Sequence, residues 1–190
     1  MFIKSNSERI CQGDILEDIE YLSPIRNKND IIINKFILPY IVVLTQDCDL
    51  KQDYGTRNDT TSQDNDKFLK SLLVCPGYIA KQVKQGTHLE SLNLKMGYLG
   101  SDIWKRVTRN EDKRYHYLEG RKKVGEELVD IEDIVLDFKH YYTIPWETMY
   151  EHHKDKYLIS LDKLYREDLS HRFSHFLSRI GLPDLKTKDQ

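Results

Sequence analysis

Runs of apolar and β-branched residues dominate the first half of this chain, and they predict strands rather than helices. The stretch at 35–45 is nearly continuous in such residues, which is typical of a strand buried on both faces of a sheet. Pro39 is expected near the start of that strand or at an edge, because proline cannot donate to the hydrogen-bond ladder. The predicted strands are 13–22, 35–45, 70–79, 113–119 and one or two within 127–145.

Toward the end of the chain the apolar residues recur every three or four positions, which predicts an amphipathic helix over about 161–180. Ser160 is the expected N-cap, and Gly181 follows as a stop signal. Shorter helices are predicted at 79–85 and 101–110. The apolar stripe of the long helix consists of Leu161, Leu164, Tyr165, Leu169, Phe173, Phe176, Leu177 and Ile180.

Together these elements predict a single α+β domain over residues 1–190. Its core is expected to be a strongly bent, mostly antiparallel sheet or small barrel, with the C-terminal amphipathic helix packed on it. The segment 51–67 is polar, and its only large apolar residue before Lys67 is Tyr54, so it predicts a mobile loop or a lid. The tail at 184–190 is predicted to be frayed.

Composition narrows the classes of function. With 31 acidic and 29 basic residues the formal net charge is -2, so any nucleic-acid binding must come from a local basic patch. The sequence shows neither the apolar core of a signal peptide nor a stretch long enough to span a membrane. Cys11, Cys48 and Cys75 are odd in number and widely spaced, which argues against a disulfide framework. These features predict a cytoplasmic protein without a membrane partner.

The sequence VVLTQDCDL, residues 42–50, places a cysteine between two aspartates at the end of the strongest predicted strand. If strand geometry continued to Asp49, Cys48 would follow the apolar face, and Asp47 and Asp49 would share the opposite face about 7 Å apart. Cys48 could then be a small buried residue, with the aspartates ending the strand by hydrogen bonds to backbone amides.

Two catalytic alternatives for this motif stay open. A nucleophilic Cys48 needs a cation, a helix N-terminus or a histidine to stabilise its thiolate, and the flanking carboxylates oppose ionisation. Asp47 and Asp49 could instead hold Mg²⁺ together with water and substrate phosphates. No second acidic motif at ligand-like spacing accompanies them, so we predict no metal site and no cofactor.

A basic segment with interleaved aromatic residues spans 104–123, where eight Lys or Arg residues stand against three acidic ones. Cations neutralise phosphates and aromatic faces stack on unpaired bases, a combination that favours single-stranded RNA or DNA. The segment 124–137 carries six acidic residues, and the alternative is that the two segments are neighbouring strands that neutralise each other. The candidate nucleic-acid-binding residues are Trp104, Lys105, Arg106, Arg109, Arg114, Tyr115, His116 and Tyr117.

The order of several segments resembles the PemK/MazF-like toxin family of small SH3-like barrels. The segments that carry the resemblance are GDI at 13–15, LPYIVVLT at 38–45, LLVCP at 72–76 and YLISLDKL at 157–164. The resemblance implies a bacterial toxin-like protein with a barrel that binds single-stranded RNA and, in active members, cleaves it as a metal-independent endoribonuclease.

The same resemblance indicates where catalytic residues would lie. Active members carry an arginine in the loop after the first strand, where Arg26 is the candidate, and the rim from Thr45 to Cys48 is expected to line the groove. They also carry a hydroxyl residue just after the third strand, where this chain has Pro76, Gly77 and Tyr78. The competing hypothesis is a non-catalytic module that binds a protein or nucleic-acid partner through the 51–67 loop and the basic segment.

Overall fold

The structure is a computed structural model. It describes residues 1–5, 8–27, 30–61, 65–124 and 127–179. The predicted stripe residue Ile180, the predicted stop signal at Gly181 and the predicted frayed tail at 184–190 lie outside the described residues.

Ten strands and five α-helices are found in the described part of the chain. The strands are β1 (Phe2–Ile3), β2 (Asp14–Asn27), β3 (Asp30–Val43), β4 (Ser71–Ile79), β5 (Tyr115–Leu118), β6 (Arg121–Val124), β7 (Glu127–Ile131), β8 (Ile134–Asp137), β9 (Tyr142–Pro145) and β10 (Tyr157–Leu161). The helices are α1 (Asp47–Arg57), α2 (Ala80–Gln85), α3 (Ser101–Thr108), α4 (Trp146–Lys156) and α5 (Lys163–Leu177).

The main sheet has the strand order β1-β10-β2-β3-β4-β8-β5, and β9 pairs with β4 beside this path. All of its pairings are antiparallel. The sheet is strongly curled and forms a half-barrel, with the C-terminal helix α5 packed on it. The predicted fold class is therefore confirmed.

Alternate residues of the central strands face two hydrophobic clusters, one on each side of the sheet. Leu16 and Ile41 point into a cluster that also contains residues of α1, α2, α3 and α4. Ile15 and Val42 point into the other cluster, which contains the buried residues of α5. Burial on both faces explains why these strands are almost continuously apolar in sequence.

Prolines occupy two gaps in the pairing of the central strands. Pro39 lies in β3 just before Tyr40, the first β3 residue that pairs with β4, so the missing N–H breaks no bond to β4. β4 pairs with β9 up to Val74 and with β8 from Gly77, so Pro76 falls where one partner strand replaces the other. Pro76 and Gly77 are residues that commonly interrupt a strand. β4 continues through them because the ladder on that side is already interrupted.

Helix α1 occupies part of the segment that the sequence predicts as a loop, so that prediction is wrong for 51–57. Asp53, buried on α1, accepts hydrogen bonds from Arg57 at 2.9 Å and from the backbone N–H of Leu69 at 2.6 Å. The Arg57 guanidinium also stacks 3.6 Å from the centroid of the Trp146 ring. Tertiary contacts of this kind stabilise a helix that polar composition alone does not predict.

Helix α5 begins later than predicted, because Ser160 belongs to β10 rather than to a helix N-cap. Asp162 occupies the N-cap position instead. Leu169, Phe173 and Phe176 are buried as expected, whereas three members of the predicted stripe are exposed. The exposed members are Leu164, Tyr165 and Leu177. Helix α4, between β9 and β10, has no counterpart among the predicted elements.

Truncation of Phe176 tests how α5 is attached to the sheet. The Phe176 ring packs 5.7 Å from the ring of Phe138, which is itself fully buried. Phe176→Ala should lower the free energy of unfolding by roughly 3–5 kcal/mol, because it leaves a cavity in this cluster. Urea unfolding measures the change, and Leu164→Ala on the same helix is the control, since Leu164 is 71% exposed. Equal losses in the two variants would contradict the observed packing of α5.

Candidate functional site

The TQDCDL motif lies at a strand-to-helix junction rather than along a strand. β3 ends at Val43 and α1 begins at Asp47, so the expected strand alternation of these side chains is wrong. Asp47 and Asp49 are two positions apart in the first helical turn and therefore project in different directions. Cys48 is exposed rather than packed in the core. The acidic residues of the motif, which are typical of a helix start, are the signal that predicts this junction.

Asp47 is held by cations. Arg9 donates two hydrogen bonds to its carboxylate, at 3.1 and 2.9 Å, and Arg166 lies 3.9 Å away. The backbone N–H of Gln12 donates to the same carboxylate at 3.3 Å. Burial opposes ionisation of Asp47, but the hydrogen bonds and charge of Arg9 outweigh it and hold the pKa of Asp47 below its usual value. This pairing and the divergent direction of Asp49 do not favour Mg²⁺ binding by the two aspartates.

Cys48 and His171 line one cavity of about 420 Å³ between the start of α1 and α5. Its other lining residues are Gln12, Gln46, Asp47, Glu167, Ser170 and Ser174. We call this cavity the Cys48 groove. Thr45 lies outside its lining, and its hydroxyl accepts a hydrogen bond from the backbone N–H of Leu73 at 2.6 Å. The Thr45 hydroxyl therefore joins the end of β3 to β4.

Arg26 is not near the Cys48 groove. It lies in β2, paired with Ile31 of β3 near the tip of the β2–β3 hairpin, and its side chain is outside the described part. At the other end of this hairpin, Ile15 pairs with Val42, close to the TQDCDL motif. At about 3.3 Å per residue, roughly 35 Å of strand separates Arg26 from Ile15. The structure therefore does not bring Arg26 together with Thr45 and Cys48.

The basic segment divides into a buried part and an exposed part. Tyr115 and His116 are buried in β5, so their ring faces are not open to a base. Arg114 donates two hydrogen bonds to the buried carboxylate of Asp137. Trp104 and Tyr117 are half-buried and make an edge contact with ring centroids 6.4 Å apart. Exposed cations of this segment lie on or just after α3, and they are Lys105, Arg106 and Arg109.

His116 stabilises the fold and is not part of an exposed binding surface. Arg172 of α5 donates to its Nδ1 at 3.0 Å and also donates to the backbone carbonyl of Tyr115 at 2.9 Å. Burial and the charge of Arg172 lower the pKa of His116 to about 3, so the ring is neutral at physiological pH. Arg172 thereby fastens α5 to β5, because the neutral His116 ring accepts one of its hydrogen bonds and the Tyr115 carbonyl accepts another.

The acidic segment that follows pairs with the basic one. β6 and β7 form a two-stranded antiparallel sheet in which Arg121 lies opposite Ile131 and Lys123 opposite Leu128. The prediction that the two segments are neighbouring strands is therefore confirmed for these residues. The third strand of this region, β9, goes beyond the one or two strands predicted within 127–145.

A second cavity, of about 310 Å³, lies at the base of the β2–β3 hairpin, and aromatic rings form much of its wall. We call it the aromatic pocket. Its aromatic lining residues are Tyr21, Phe36, Tyr78, Tyr141 and Tyr142. Leu38, Leu89, Leu92 and Leu94 add apolar surface, and Pro76, Lys139 and His140 complete the lining. A largely apolar cavity with a few convergent polar groups is the usual form of a small-ligand site.

A series of polar groups runs from the aromatic pocket into the protein, with one hydrogen bond and one longer polar contact. The hydroxyl of Tyr78 lies 3.0 Å from Nδ1 of His140, and Nε2 of His140 lies 3.5 Å from Oδ2 of Asp137. Because the Asp137 carboxylate is an acceptor, it favours the His140 tautomer with its proton on Nε2. In that tautomer Nδ1 is an acceptor, and the Tyr78 hydroxyl donates to it.

Burial sets the protonation of this series. It raises the pKa of Tyr78 well above the usual value, so the hydroxyl keeps its proton. Burial lowers the pKa of His140, and this outweighs the opposing charge of Asp137, so the imidazole is neutral near pH 7. The side chain of His140 is 25% exposed and remains accessible from the pocket. A neutral imidazole backed by a carboxylate is able to accept a proton.

The pair Tyr21 and Tyr142 forms a wall between the aromatic pocket and another cavity of about 450 Å³, since both rings line both cavities. Their ring centroids lie 4.7 Å apart in an edge arrangement. Within the described part of the chain, the buried hydroxyl of Tyr142 has no hydrogen-bond partner. A buried polar atom of this kind is costly unless water or a ligand satisfies it.

The aromatic pocket was not predicted from the sequence, because its residues come from five separate segments. The available signal is a polar group at the end of an apolar strand: Asp137 ends β8, and His140 follows three residues later. TQDCDL shows the same signal at the end of β3, which is the motif that the sequence brings to attention first.

Comparison with known proteins found neither a matching family model nor a matching curated protein. Within the described ranges, no helix has the length and apolar character needed to cross a membrane. Across those same residues, no group of three or more His, Cys, Asp or Glu side chains is arranged to hold a metal ion.

The different settings of the cysteines lead to a test with iodoacetamide. Cys48 is exposed, whereas Cys75 is buried, and burial together with Asp137 raises the pKa of Cys75 well above its usual value. Mass spectrometry of the native protein over time should therefore show Cys48 modified long before Cys75. Both should react readily after unfolding in urea, which serves as the control. Equal rates in the native protein would contradict these positions.

Proposed function

We propose that this protein binds single-stranded RNA and that the aromatic pocket holds one of its bases. The observation that carries the proposal is the pocket itself, in which several aromatic rings surround the Tyr78–His140 pair. Unpaired bases are commonly recognised by stacking on aromatic side chains together with hydrogen bonds to their edges. The pocket offers both kinds of contact, since the hydroxyls and His140 supply donors and acceptors beside the rings.

Charge around the aromatic pocket also suits an RNA backbone. Lys139 lines the pocket and is exposed, so its ammonium group is able to pair with a phosphate next to the bound base. Such a site reads an unstacked strand rather than a duplex, because a base has to leave its stack to enter the pocket.

Cleavage without a metal ion is the catalytic extension of this proposal, in keeping with the resemblance to PemK/MazF-like toxins. The ribose 2′-hydroxyl gives its proton to the Tyr78 oxygen while the proton of Tyr78 passes to Nδ1 of His140. The 2′-oxygen forms a bond to the adjacent phosphorus, the bond from phosphorus to the 5′-oxygen breaks, and water protonates that leaving oxygen. Asp137 stabilises the imidazolium that results.

A second candidate function is thiol-dependent catalysis in the Cys48 groove. Cys48 is exposed in the first turn of α1, where backbone N–H groups favour a thiolate, and His171 lines the same cavity. The pairing of Asp47 with Arg9 also removes one of the two charges that oppose ionisation of the thiol. Loss of any catalytic activity in Cys48→Ser, with RNA binding retained, would favour this candidate.

Replacement of Phe36 by Leu tests the binding of a base. It removes one aromatic face of the pocket and keeps an apolar side chain, so affinity for a fluorescent mixed-sequence single-stranded RNA should fall. The stacking of one base is worth about 1–3 kcal/mol, and the expected loss is therefore roughly 5- to 150-fold in Kd. Fluorescence anisotropy measures it, and Tyr165→Leu on α5 is the control, since Tyr165 is an exposed ring outside the pocket.

The same RNA pool separates binding from cleavage. His140→Gln should keep most of the affinity and abolish cleavage, and wild-type cleavage should persist in EDTA. Binding without cleavage in the wild type would reduce the proposal to a binding module. Failure of the wild type to bind RNA, or equal losses in Phe36→Leu and Tyr165→Leu, would refute it. Cleavage that EDTA abolishes would refute the metal-free step.

A further inference from the structure

The β2–β3 hairpin extends beyond the rest of the sheet. β10 pairs with β2 only over 14–16, and β4 pairs with β3 only over 40–43. In the described part of the chain, residues 19–27 and 30–38 form ladder bonds only with each other. We call this two-stranded extension the arm.

The two faces of the arm differ in what covers them. Directly paired residues share a face, so the register assigns Tyr21, Phe36 and Leu38 to the inner face, which lines the aromatic pocket. The outer face carries four large aliphatic side chains that are between 54% and 71% exposed. These side chains are Leu22, Ile31, Ile33 and Ile37.

The four aliphatic side chains form one contiguous stripe on the surface of the arm. Single exposed aliphatic residues are ordinary, but four neighbours at this exposure amount to on the order of several hundred Å² of apolar surface. The largest apolar patch on a typical monomer is of this size and is often a functional surface. Burial of the stripe against a partner would remove this apolar area from water.

We propose that the outer face of the arm binds a second copy of this chain in a two-fold symmetric dimer. A two-fold interface requires a surface that is complementary to itself. The stripe meets this requirement, because aliphatic side chains pack equally well against their own copies. Its charges meet it too: Glu20 and Lys35 lie on the same face and form a 2.5 Å ion pair within one chain.

In the dimer each Lys35 exchanges its partner and pairs with Glu20 of the other copy. The apolar area of two facing stripes is also large enough for a specific interface. Two stripes of several hundred Å² each, with the polar residues around them, approach the roughly 1,000 Å² that a specific interface needs. The net charge of -2 per chain opposes association only weakly.

Dimerisation through this face would also affect the aromatic pocket, although the dimer does not depend on the proposed RNA binding. The strands that present the stripe on one side carry Tyr21 and Phe36 on the other. A partner that fixes the arm would therefore hold these two rings in place.

Sedimentation velocity over a wide series of protein concentrations tests the dimer. The wild type should convert from monomer to dimer as concentration rises, and Ile33→Lys should weaken the dimer at least tenfold. Leu164→Lys is the matched control, because Leu164 is 71% exposed on α5, outside the stripe, and this variant should dimerise as the wild type does. Circular dichroism of each variant verifies that it is folded.

Charge exchange tests the orientation of the two copies. Lys35→Glu and Glu20→Lys should each dimerise poorly, because each places like charges across the interface. An equimolar mixture of the two variants should dimerise like the wild type, since both intermolecular pairs are then of opposite charge. A loss of the ion pair within one chain cannot be rescued by mixing.

Several outcomes would overturn the proposal. They are a wild type that stays monomeric at every concentration, a dimer that Ile33→Lys leaves intact, and a mixture of charge variants that fails to recover. Wild-type monomers that bind vesicles or another protein through Ile33 instead would also overturn it.

Discussion

A buried carboxylate has to be paired, and Asp137 imposes this constraint on the centre of the molecule. It is almost inaccessible to solvent at the end of β8, and it accepts two hydrogen bonds from Arg114. It also accepts a hydrogen bond from the backbone N–H of Lys139 at 3.0 Å, which caps the turn that follows. Because that turn carries His140 and Tyr141, the pairing of Asp137 determines where the polar side of the aromatic pocket lies.

The close approach of two strands places Tyr78 beside this turn. A Cβ atom at Gly77 would come within 2.6 Å of the Ile134 side chain, so this glycine allows the close approach of β4 and β8. Tyr78 follows in the same strand, opposite Val135, and its hydroxyl reaches His140. The change of partner strand at Pro76, the approach at Gly77 and the hydrogen bond of Tyr78 therefore come from three successive residues.

Much of the fold can be predicted from the sequence, because strands that are buried on both faces appear as continuous apolar runs. β3 and β4 are examples, and the buried residues of α5 also recur at helical spacing. Helix α1 does not follow, because its stability depends on Asp53 and Arg57 and their contacts with Leu69 and Trp146. Such contacts join residues that are distant in sequence, so no local pattern reports them.

The site was harder to predict for the same reason. TQDCDL stands out in the sequence, but its side chains belong to a helix start and not to a strand. The order of segments points to Arg26, and only the register of the hairpin shows its distance from Cys48. The rings of the aromatic pocket are separated along the chain and meet through the curvature of the sheet. Tyr115 and His116 resembled a stacking surface, although their burial leaves no ring face for a base.

Photocrosslinking tests the central claim, that the pocket built around Asp137 receives an unstacked base. Single-stranded RNA that contains 5-iodouridine forms crosslinks to nearby aromatic side chains on irradiation, and mass spectrometry identifies the modified residues. Crosslinks are expected at Phe36, Tyr141 or Tyr142, which are exposed or half-buried rings of the pocket. Crosslinks confined to Trp104 and Tyr117, beside the exposed cations of α3, would contradict that claim.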